Sequence, residues 1–352
     1  MWLTTARAAS GGATSDAPRN KKSLLVDGNN VLYHYYNPLL PANSDGVQRE
    51  AIDGLIQLLK RMNKTHRPEH ICVFFDSKRK PTVRKLIDPT YKSQRKPTPQ
   101  SLGPQLASAA EILAEGGLNC ITYPGFEADD LVASYTEAYV TAGYDVLVVS
   151  NDNDFLQLAR GTSALDGAAP ATTTPTQPVT SVGGSEQEEP LRNDAETRTP
   201  SGVVELYQPN KRRYIRERHL QSRFGLLHAR LIPDFLALIG TRWGKIKKVD
   251  HMTEERAVEL LTEYGSLPKL LRNLNSIEDP VLRKSLKHAI SSIETSLRIA
   301  KLNDEIVLPI PLADLQAPQL DKLQIASAPV AATATAKRKS GAIRGKRVKD
   351  AN

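Results

Sequence analysis

Acidic residues follow several short apolar runs in this chain, and this pattern constrains its fold more than any other feature. The runs at 24–26, 73–75 and 148–149 are rich in Val, Leu and Phe, and an acid follows each within three residues. Such runs are typical of strands in a parallel sheet, whose carboxyl ends open onto a ligand crevice. The pattern therefore predicts an α/β fold, a mainly parallel sheet flanked by helices, with the acids gathered at one edge.

Seven acids belong to this predicted cluster. They are Asp27, Asp76, Glu127, Asp129, Asp130, Asp152 and Asp154. Carboxylates a few ångströms apart either take up protons or bind cations. Carboxylate oxygens suit Mg2+ and Mn2+, whereas two cysteines and seven scattered histidines offer no zinc cluster. The sequence therefore predicts a site for one or two divalent ions, Mg2+ or Mn2+.

Paired divalent ions favour one kind of chemistry. Two ions about 4 Å apart commonly assist in-line displacement at phosphorus, one activating water and the other steadying the leaving oxygen. Phosphodiester hydrolysis is therefore the favoured reaction. Any single acid is more simply explained as a strand-end residue in a solvated loop, but that explanation is poor for all the acidic segments in one order. A phosphatase with an Asp-x-Asp strand end is disfavoured, because Gly28 and Asn29 follow Asp27.

A strongly basic stretch follows Asp76. Residues 78–96 contain eight Lys and Arg side chains and one acid, Asp88. Such a stretch directly after a metal-binding Asp is suited to neutralising phosphates, with Tyr91 available to stack on a base. The candidates for nucleic-acid contact in this stretch are Lys78, Arg84, Tyr91 and Lys96. A merely solvated basic loop is the alternative.

These motifs carry a resemblance to a known family. The segments in register are Val26-Asp27-Gly28-Asn29-Asn30, Phe75-Asp76, Tyr91-Lys92-Ser93-Gln94-Arg95, Gly125-Phe126-Glu127-Ala128-Asp129-Asp130 and Asp152-Asn153-Asp154. Their order and spacing resemble the 5′-nuclease superfamily, which includes flap endonucleases, phage 5′-exonucleases and the 5′-nuclease domain of bacterial DNA polymerase I. The likeness is greatest to the bacterial branch and covers roughly residues 23–310.

The resemblance implies roles for individual residues. The seven acids would bind metal directly, through water or as part of the cluster, and Lys92 and Arg95 would grip the scissile phosphate, with Arg84 and Lys78 in support. It implies a 5′-3′ exonuclease or flap endonuclease with a smaller helical C-terminal DNA-binding lobe. Its partner would be DNA with a 5′ flap, nick or free 5′ end, or an RNA–DNA hybrid, and the protein would act as a monomer.

One segment departs from the family pattern. Where relatives have two acids and a glycine-rich hairpin in the helix-three-turn-helix element, this chain has Thr241 and Gly244 within residues 241–253. The expected second metal ligands and the family's potassium site are therefore predicted to be lost. Four cations of this segment could contact phosphates instead: Arg242, Lys245, Lys247 and Lys248. Asp250 is a weak candidate for a replacement ligand, and a catalytically weakened or inactive nucleic-acid-binding protein is the alternative function.

Composition predicts the remaining organisation. We expect a leader at 1–22, a catalytic core at 23–160, a low-complexity insertion at 161–200, a helical lobe at 201–312 and a basic tail at 313–352. The leader resembles a mitochondrial transit peptide, and the basic tail could instead be a nuclear address. The net charge of +8 suits a nucleic-acid partner, and the lack of a long apolar run predicts no membrane span. Cys72 and Cys120 are expected to be core residues.

Overall fold

The computed structural model describes residues 21–40, 48–77, 82–93, 95–161, 202–225, 228–241 and 246–325, with only the backbone at 223 and 224. Most of the predicted leader and basic tail, and nearly all of the predicted insertion, lie outside these residues. Three of the predicted nucleic-acid contacts, Lys78, Arg242 and Lys245, also lie outside them.

A six-stranded sheet forms the centre of the described structure. Its strands are β1 (Lys22–Asp27), β2 (His70–Phe74), β3 (Asn119–Ile121), β4 (Asp145–Val149), β5 (Val204–Gln208) and β6 (Arg213–Ile215). The spatial order is β3-β2-β1-β4-β5-β6. Only the β5–β6 pair is antiparallel. The predicted mainly parallel sheet is confirmed, and the carboxyl ends of β1, β2, β4 and β5 share one edge.

Helices flank the sheet and form the C-terminal lobe. They are α1 (Gly28–Tyr35), α2 (Glu50–His66), α3 (Val83–Ile87), α4 (Leu102–Glu115), α5 (Ala128–Thr141), α6 (Glu217–Phe224), α7 (Ile232–Ile239), α8 (Glu254–Tyr264), α9 (Leu267–Arg272) and α10 (Pro280–Ala300). Within the described residues, none of these helices has both the length and the apolar character needed to cross a bilayer.

Both faces of the sheet are buried because alternate strand residues point to opposite sides. In β1, Leu24 and Val26 pack into the core on the side of α2 and α4, whereas Leu25 packs into the core on the side of α5. The second of these cores continues into α7, α8, α9 and α10. One continuous apolar core therefore joins the catalytic sheet to the helical lobe.

Two predicted domain boundaries differ from the structure. Residues 204–215 form β5 and β6 of the central sheet, although the prediction placed them in the helical lobe. Residues 313–325 pack back onto the core, although the prediction placed them in the tail. Here Asn119 Nδ2 donates to the Gln316 carbonyl at 2.8 Å, and Lys60 Nζ donates to the Leu323 carbonyl at 2.6 Å. These long-range contacts were not visible in composition.

Candidate active site

Asp27 is fixed at the junction of β1 and α1. Its side chain is buried and caps α1, because Oδ1 accepts the Asn30 N–H at 3.1 Å. The second oxygen, Oδ2, accepts the Ser150 hydroxyl at 2.9 Å, which joins the ends of β1 and β4. Asp27 is thus held rigidly at the centre of the sheet edge.

Asp76, Asp129 and Asp152 lie around Asp27. Asp76 follows β2, and its Oδ1 accepts the Ala128 N–H at 2.9 Å, which ties it to the first turn of α5 where Asp129 lies. Its Oδ2 accepts an amide N–H from Asn29 at 3.1 Å. Asp152 follows β4 and caps the short helix 153–158. Hydrogen bonds therefore hold Asp76 and Asp152 in place, and the first turn of α5 carries Asp129.

Burial and mutual repulsion disfavour the charged forms of Asp27 and Asp129. The pKa of Asp27 is raised to about 7, because burial and the charges of Asp76 and Asp152 outweigh the lowering effect of the Asn30 and Ser150 hydrogen bonds. Burial also raises the pKa of Asp129 well above its usual value, together with the charge of Asp27. Such a cluster is stabilised by cations as well as by protons. The oxygen donors therefore fit a hard divalent ion.

The cluster is not a closed metal cage. Among the described residues, no three acidic, imidazole or thiol side chains are already arranged to hold an ion together. Mg2+ is usually bound through one or two carboxylates, several waters and substrate phosphates. The open arrangement of Asp27, Asp76, Asp129 and Asp152 fits that kind of binding.

Glu127 is occupied by protein donors. It lies immediately before α5, where Oε1 accepts Lys92 Nζ at 2.7 Å and Oε2 accepts Arg84 Nη1 at 2.8 Å. Burial favours a raised pKa for Glu127, but Lys92 and Arg84 outweigh it and lower the pKa. Glu127 is therefore ionised and neutralised by two cations of the basic stretch.

The predicted roles of Arg84 and Asp130 require correction. The Arg84 guanidinium is only 5% exposed and binds both oxygens of Asp130, at 2.8 and 2.7 Å, while its Nε donates to the Ile299 carbonyl. Asp130 Oδ1 also accepts the Asn303 N–H at 3.0 Å. Arg84 is therefore a buried structural cation rather than a phosphate contact, and Asp130 faces it rather than the other acids.

Tyr91 also differs from its prediction. Its ring is buried against Ile246, Ile299 and Ala300, and its hydroxyl donates to Glu127 Oε2 at 3.3 Å. It joins the basic stretch to the lobe, so stacking on an exposed base is wrong for this conformation. Sequence reasoning had no local signal for this burial, because the packing partners lie more than 150 residues away.

A large cleft adjoins the acids. Its volume is about 1540 Å³, and Asp152 and Asp154 line it. Of the predicted cationic contacts, Lys92, Arg95, Lys96 and Lys247 also line it, whereas Lys248 is exposed outside its lining. Sequence reasoning missed other lining residues: Glu254, His288, Ser291, Ser292 and Thr295. The last four recur at helical spacing on α10, a polar stripe that could have indicated a cleft wall.

The loop after α7 shows what replaced the missing acid. Thr241 closes this loop, because its N–H donates to the Ile246 carbonyl at 3.0 Å and its hydroxyl oxygen accepts the Ile246 N–H at 3.3 Å. Gly240 has φ 76°, and a Cβ there would lie 2.7 Å from Lys248 N. Asp250 is exposed and does not line the cleft. No carboxylate of the described part of this loop therefore substitutes for the expected ligand.

Clustered carboxylates at the edge of a mainly parallel sheet, beside a cleft lined with cations, define the class of structure-specific nucleases. Two family models match the chain: "5'-3' exonuclease, N-terminal resolvase-like domain" over residues 22–183 and "5'-3' exonuclease, C-terminal SAM fold" over residues 227–323. The chain belongs to the 5′-3′ exonuclease family.

Curated relatives agree with the family models. The chain is 26% identical over 307 residues to a 5′-3′ exonuclease of Aquifex aeolicus, covering 86% of this chain and 90% of that protein. It is 26% identical to DNA polymerase I of Caldicellulosiruptor bescii and 29% identical to that of Mycobacterium bovis, covering 86% and 88% of this chain. The chain spans only 31% and 30% of the length of those polymerases.

Solved structures share the fold. A T5 D15 protein crystallised with metal ions superposes with a TM-score of 0.59 at 16% identity, covering 80% of this chain and 90% of that one. A complex of the phage T5 flap endonuclease with DNA and metal ions gives the same values. The predicted α/β core with a smaller helical C-terminal lobe is thereby confirmed.

Proposed function

We propose that this protein is a divalent-metal-dependent nuclease that hydrolyses phosphodiester bonds of DNA at or near a 5′ end or flap. One observation carries the proposal: four carboxylates from four elements, Asp27, Asp76, Asp129 and Asp152, converge beside a cleft lined with Lys and Arg side chains. Carboxylates that repel one another bind metal cations, and Lys and Arg side chains bind phosphates. An acidic metal site beside a cationic cleft is suited to hydrolysis of a polyanion.

The four central acids would hold Mg2+ or Mn2+, which supplies a more acidic bound water and neutralises charge at phosphorus. Lys92 and Arg95, which line the cleft, would bind and orient the phosphate. Lys92 is paired with Glu127 at 2.7 Å in this structure, so an incoming phosphate competes with Glu127 for its ammonium group. Asp154 lines the cleft and extends the negative edge toward the lobe.

The substrate class rests on the relatives. The T5 neighbours are described as a flap endonuclease in a complex with DNA and metal ions and as a 5′-exonuclease with bound zinc. Replication or repair is the corresponding process. An RNA–DNA hybrid is included as a substrate, because backbone phosphate contacts do not read the sugar or base directly. We further propose that the protein acts as a monomer and lacks the family's potassium site, since the glycine-rich hairpin is absent from residues 241–253.

A binding protein without turnover is the second candidate. The observation that favours it is Thr241, whose hydroxyl closes its own loop where relatives have a metal-binding acid. Asp250 does not compensate, because it is exposed away from the cleft lining. In this alternative the cations of the cleft bind nucleic acid and the remaining acids hold one ion that does not suffice for hydrolysis.

Cleavage of a 5′-flap duplex labelled at either end distinguishes the candidates. The purified protein is assayed with Mg2+, with Mn2+ and with EDTA, beside Asp129→Ala and the matched control Asp250→Ala. Metal-dependent cutting near the junction, lost in Asp129→Ala and kept in Asp250→Ala, supports the nuclease. Salt-sensitive binding with no cutting by the wild type supports the binding protein.

We also propose a mitochondrial location on the basis of the leader before residue 21, with the nucleus as the alternative on the basis of the basic tail. The leader contains Arg7 and Arg19, and its first acid is Asp16. To test the transit role, a fluorescent protein fused to residues 1–22 is compared with the same fusion carrying Arg7→Glu and Arg19→Glu. Import that survives this change, or no import by either fusion, contradicts the transit role.

A further inference from the structure

The turn between β5 and β6 lies at the acidic edge of the sheet. Because β5 runs parallel to β4, its carboxyl end points toward the same edge as Asp152, and the antiparallel β6 leads away again. The turn contains Pro209, Asn210, Lys211 and Arg212. Two exposed cations therefore lie next in line after the acids that follow β2, β1 and β4.

Hydrogen bonds tie this turn to the catalytic acids. The Asn210 N–H donates to Asn151 Oδ1 at 2.8 Å, and Asn151 in turn donates its N–H to Asn30 Oδ1 at 2.9 Å. Asn30 is the residue whose own N–H is accepted by Asp27. On the other side, Gln208 Nε2 donates to Asn153 Oδ1 at 3.0 Å. The turn is thus held in a set position relative to Asp27 and Asp152.

The two cations face different parts of the edge. Lys211 lines the cleft together with Asp152, Lys92 and Lys247. Arg212 is exposed at the tip of the turn with φ 48°, a left-handed conformation that is uncommon outside glycine. Its charge, together with burial, lowers the pKa of His34 near the end of α1. The turn therefore widens the cationic surface from the cleft toward α1.

Strand spacing gives the distance between this surface and the acids. Neighbouring strands lie about 4.8 Å apart, so the end of β5 is roughly 5 Å sideways from the end of β4 and roughly 10 Å from the end of β1. One strand of B-form DNA advances about 3.4 Å per nucleotide. For a nucleic-acid strand that runs along this edge, the separation corresponds to about one to three nucleotides.

We propose that Lys211 and Arg212 form a phosphate-binding subsite that holds the nucleic-acid backbone within about three nucleotides of the scissile bond. This inference rests on the proposed function, because the acids define where the scissile phosphate lies. The subsite is specific to the β5–β6 turn and separate from Lys92 and Arg95 on the basic stretch. The subsite strengthens binding and fixes the position of the strand relative to the acids, and it takes no part in bond cleavage.

Equilibrium binding of a 5′-flap duplex in EDTA tests the subsite without turnover. The variant Lys211→Gln/Arg212→Gln is compared with wild type and with Lys269→Gln/Arg272→Gln, an equal charge change on exposed residues of α9 outside the cleft lining. Two lost phosphate contacts lower the slope of log K against log salt by about 1.4 to 1.8, and weaken binding by about tenfold or more at 0.1 M salt. The α9 control is expected to match wild type.

A methylphosphonate scan locates the contact. Neutral linkages are placed singly along the strand, and one placed within about three nucleotides of the flap junction weakens binding by wild type but not by the turn variant. Unchanged affinity and slope in the turn variant, or an equal loss in the α9 control, overturns the inference. If the wild type binds as described but never cleaves, the proposed nuclease fails while the subsite stands.

Discussion

At the scale of single residues, Asp27 links the fold to the metal chemistry. Its pKa of about 7 in the metal-free protein lies above the value of about 4 expected in an unfolded chain. Between these values the folded protein binds more protons than the unfolded one, so stability falls as pH rises from about 4 to about 7. Asp27→Asn should remove the contribution of Asp27 to the pH dependence of the free energy of unfolding. Urea unfolding in EDTA across this pH range is the measurement, and parallel curves for both proteins would contradict the expectation.

Arg84 and Arg95 represent two kinds of cation, one that stabilises the fold and one that is expected to bind phosphate. Arg84 is paired with two buried carboxylates, whereas Arg95 is exposed on the cleft wall. Removing one partner of a buried ion pair costs about 3–5 kcal/mol, because the other charges stay buried. Arg84→Met should therefore lower the free energy of unfolding by that amount, and Arg95→Met by less than about 0.5 kcal/mol. DNA binding by Arg95→Met should weaken, and the reverse pattern would reject the assignment.

At the scale of elements, the C-terminal segment acts as part of the core. Leu320 and Leu323 are buried under α2 and α4, whereas Ile325 is 39% exposed. Leu323→Ala should cost about 2–5 kcal/mol, as for other buried leucines. Ile325→Ala is the matched control and should change little. Equal small losses in urea unfolding would show that the segment does not contribute to stability.

The elements that sequence could predict are those with a local signal. Apolar runs predicted the strands that carry Asp27, Asp76 and Asp152, which are observed as β1, β2 and β4. β5 and β6 were not predicted, because their partners lie across the 162–201 segment. The Arg84 site was missed for the same reason, since Ile299 lies 215 residues away. Local periodicity indicates which face of a helix or strand is apolar, but it does not identify the distant residues that pack against that face.

At the scale of the whole molecule, the shared core predicts cooperative unfolding. Apolar residues from Leu25 in β1 to Leu286 in α10 belong to one cluster, so the sheet and the lobe cannot separate without exposing it. Cys72 reports on the sheet, because burial raises its thiol pKa to about 12 and keeps it unreactive. In a Cys120→Ser background, Ala257→Cys places a second thiol at a buried position of α8, where it reports on the lobe. Both thiols should become reactive at the same urea concentration, and two separate midpoints would contradict a single unit.

The bridge between Arg160 and Val204 brings together the two ends of the 162–201 segment. The Val204 N–H donates to the Arg160 carbonyl at 2.9 Å, and the Gly161 N–H donates to Glu217 at 3.2 Å. A loop whose ends are already pinned costs only about 0.6 kcal/mol for each doubling of its length. This position should therefore host a foreign domain, such as a fluorescent reporter or an affinity module, while cleavage activity is retained. Different domains could then be inserted at this position while both termini of the chain stay unchanged.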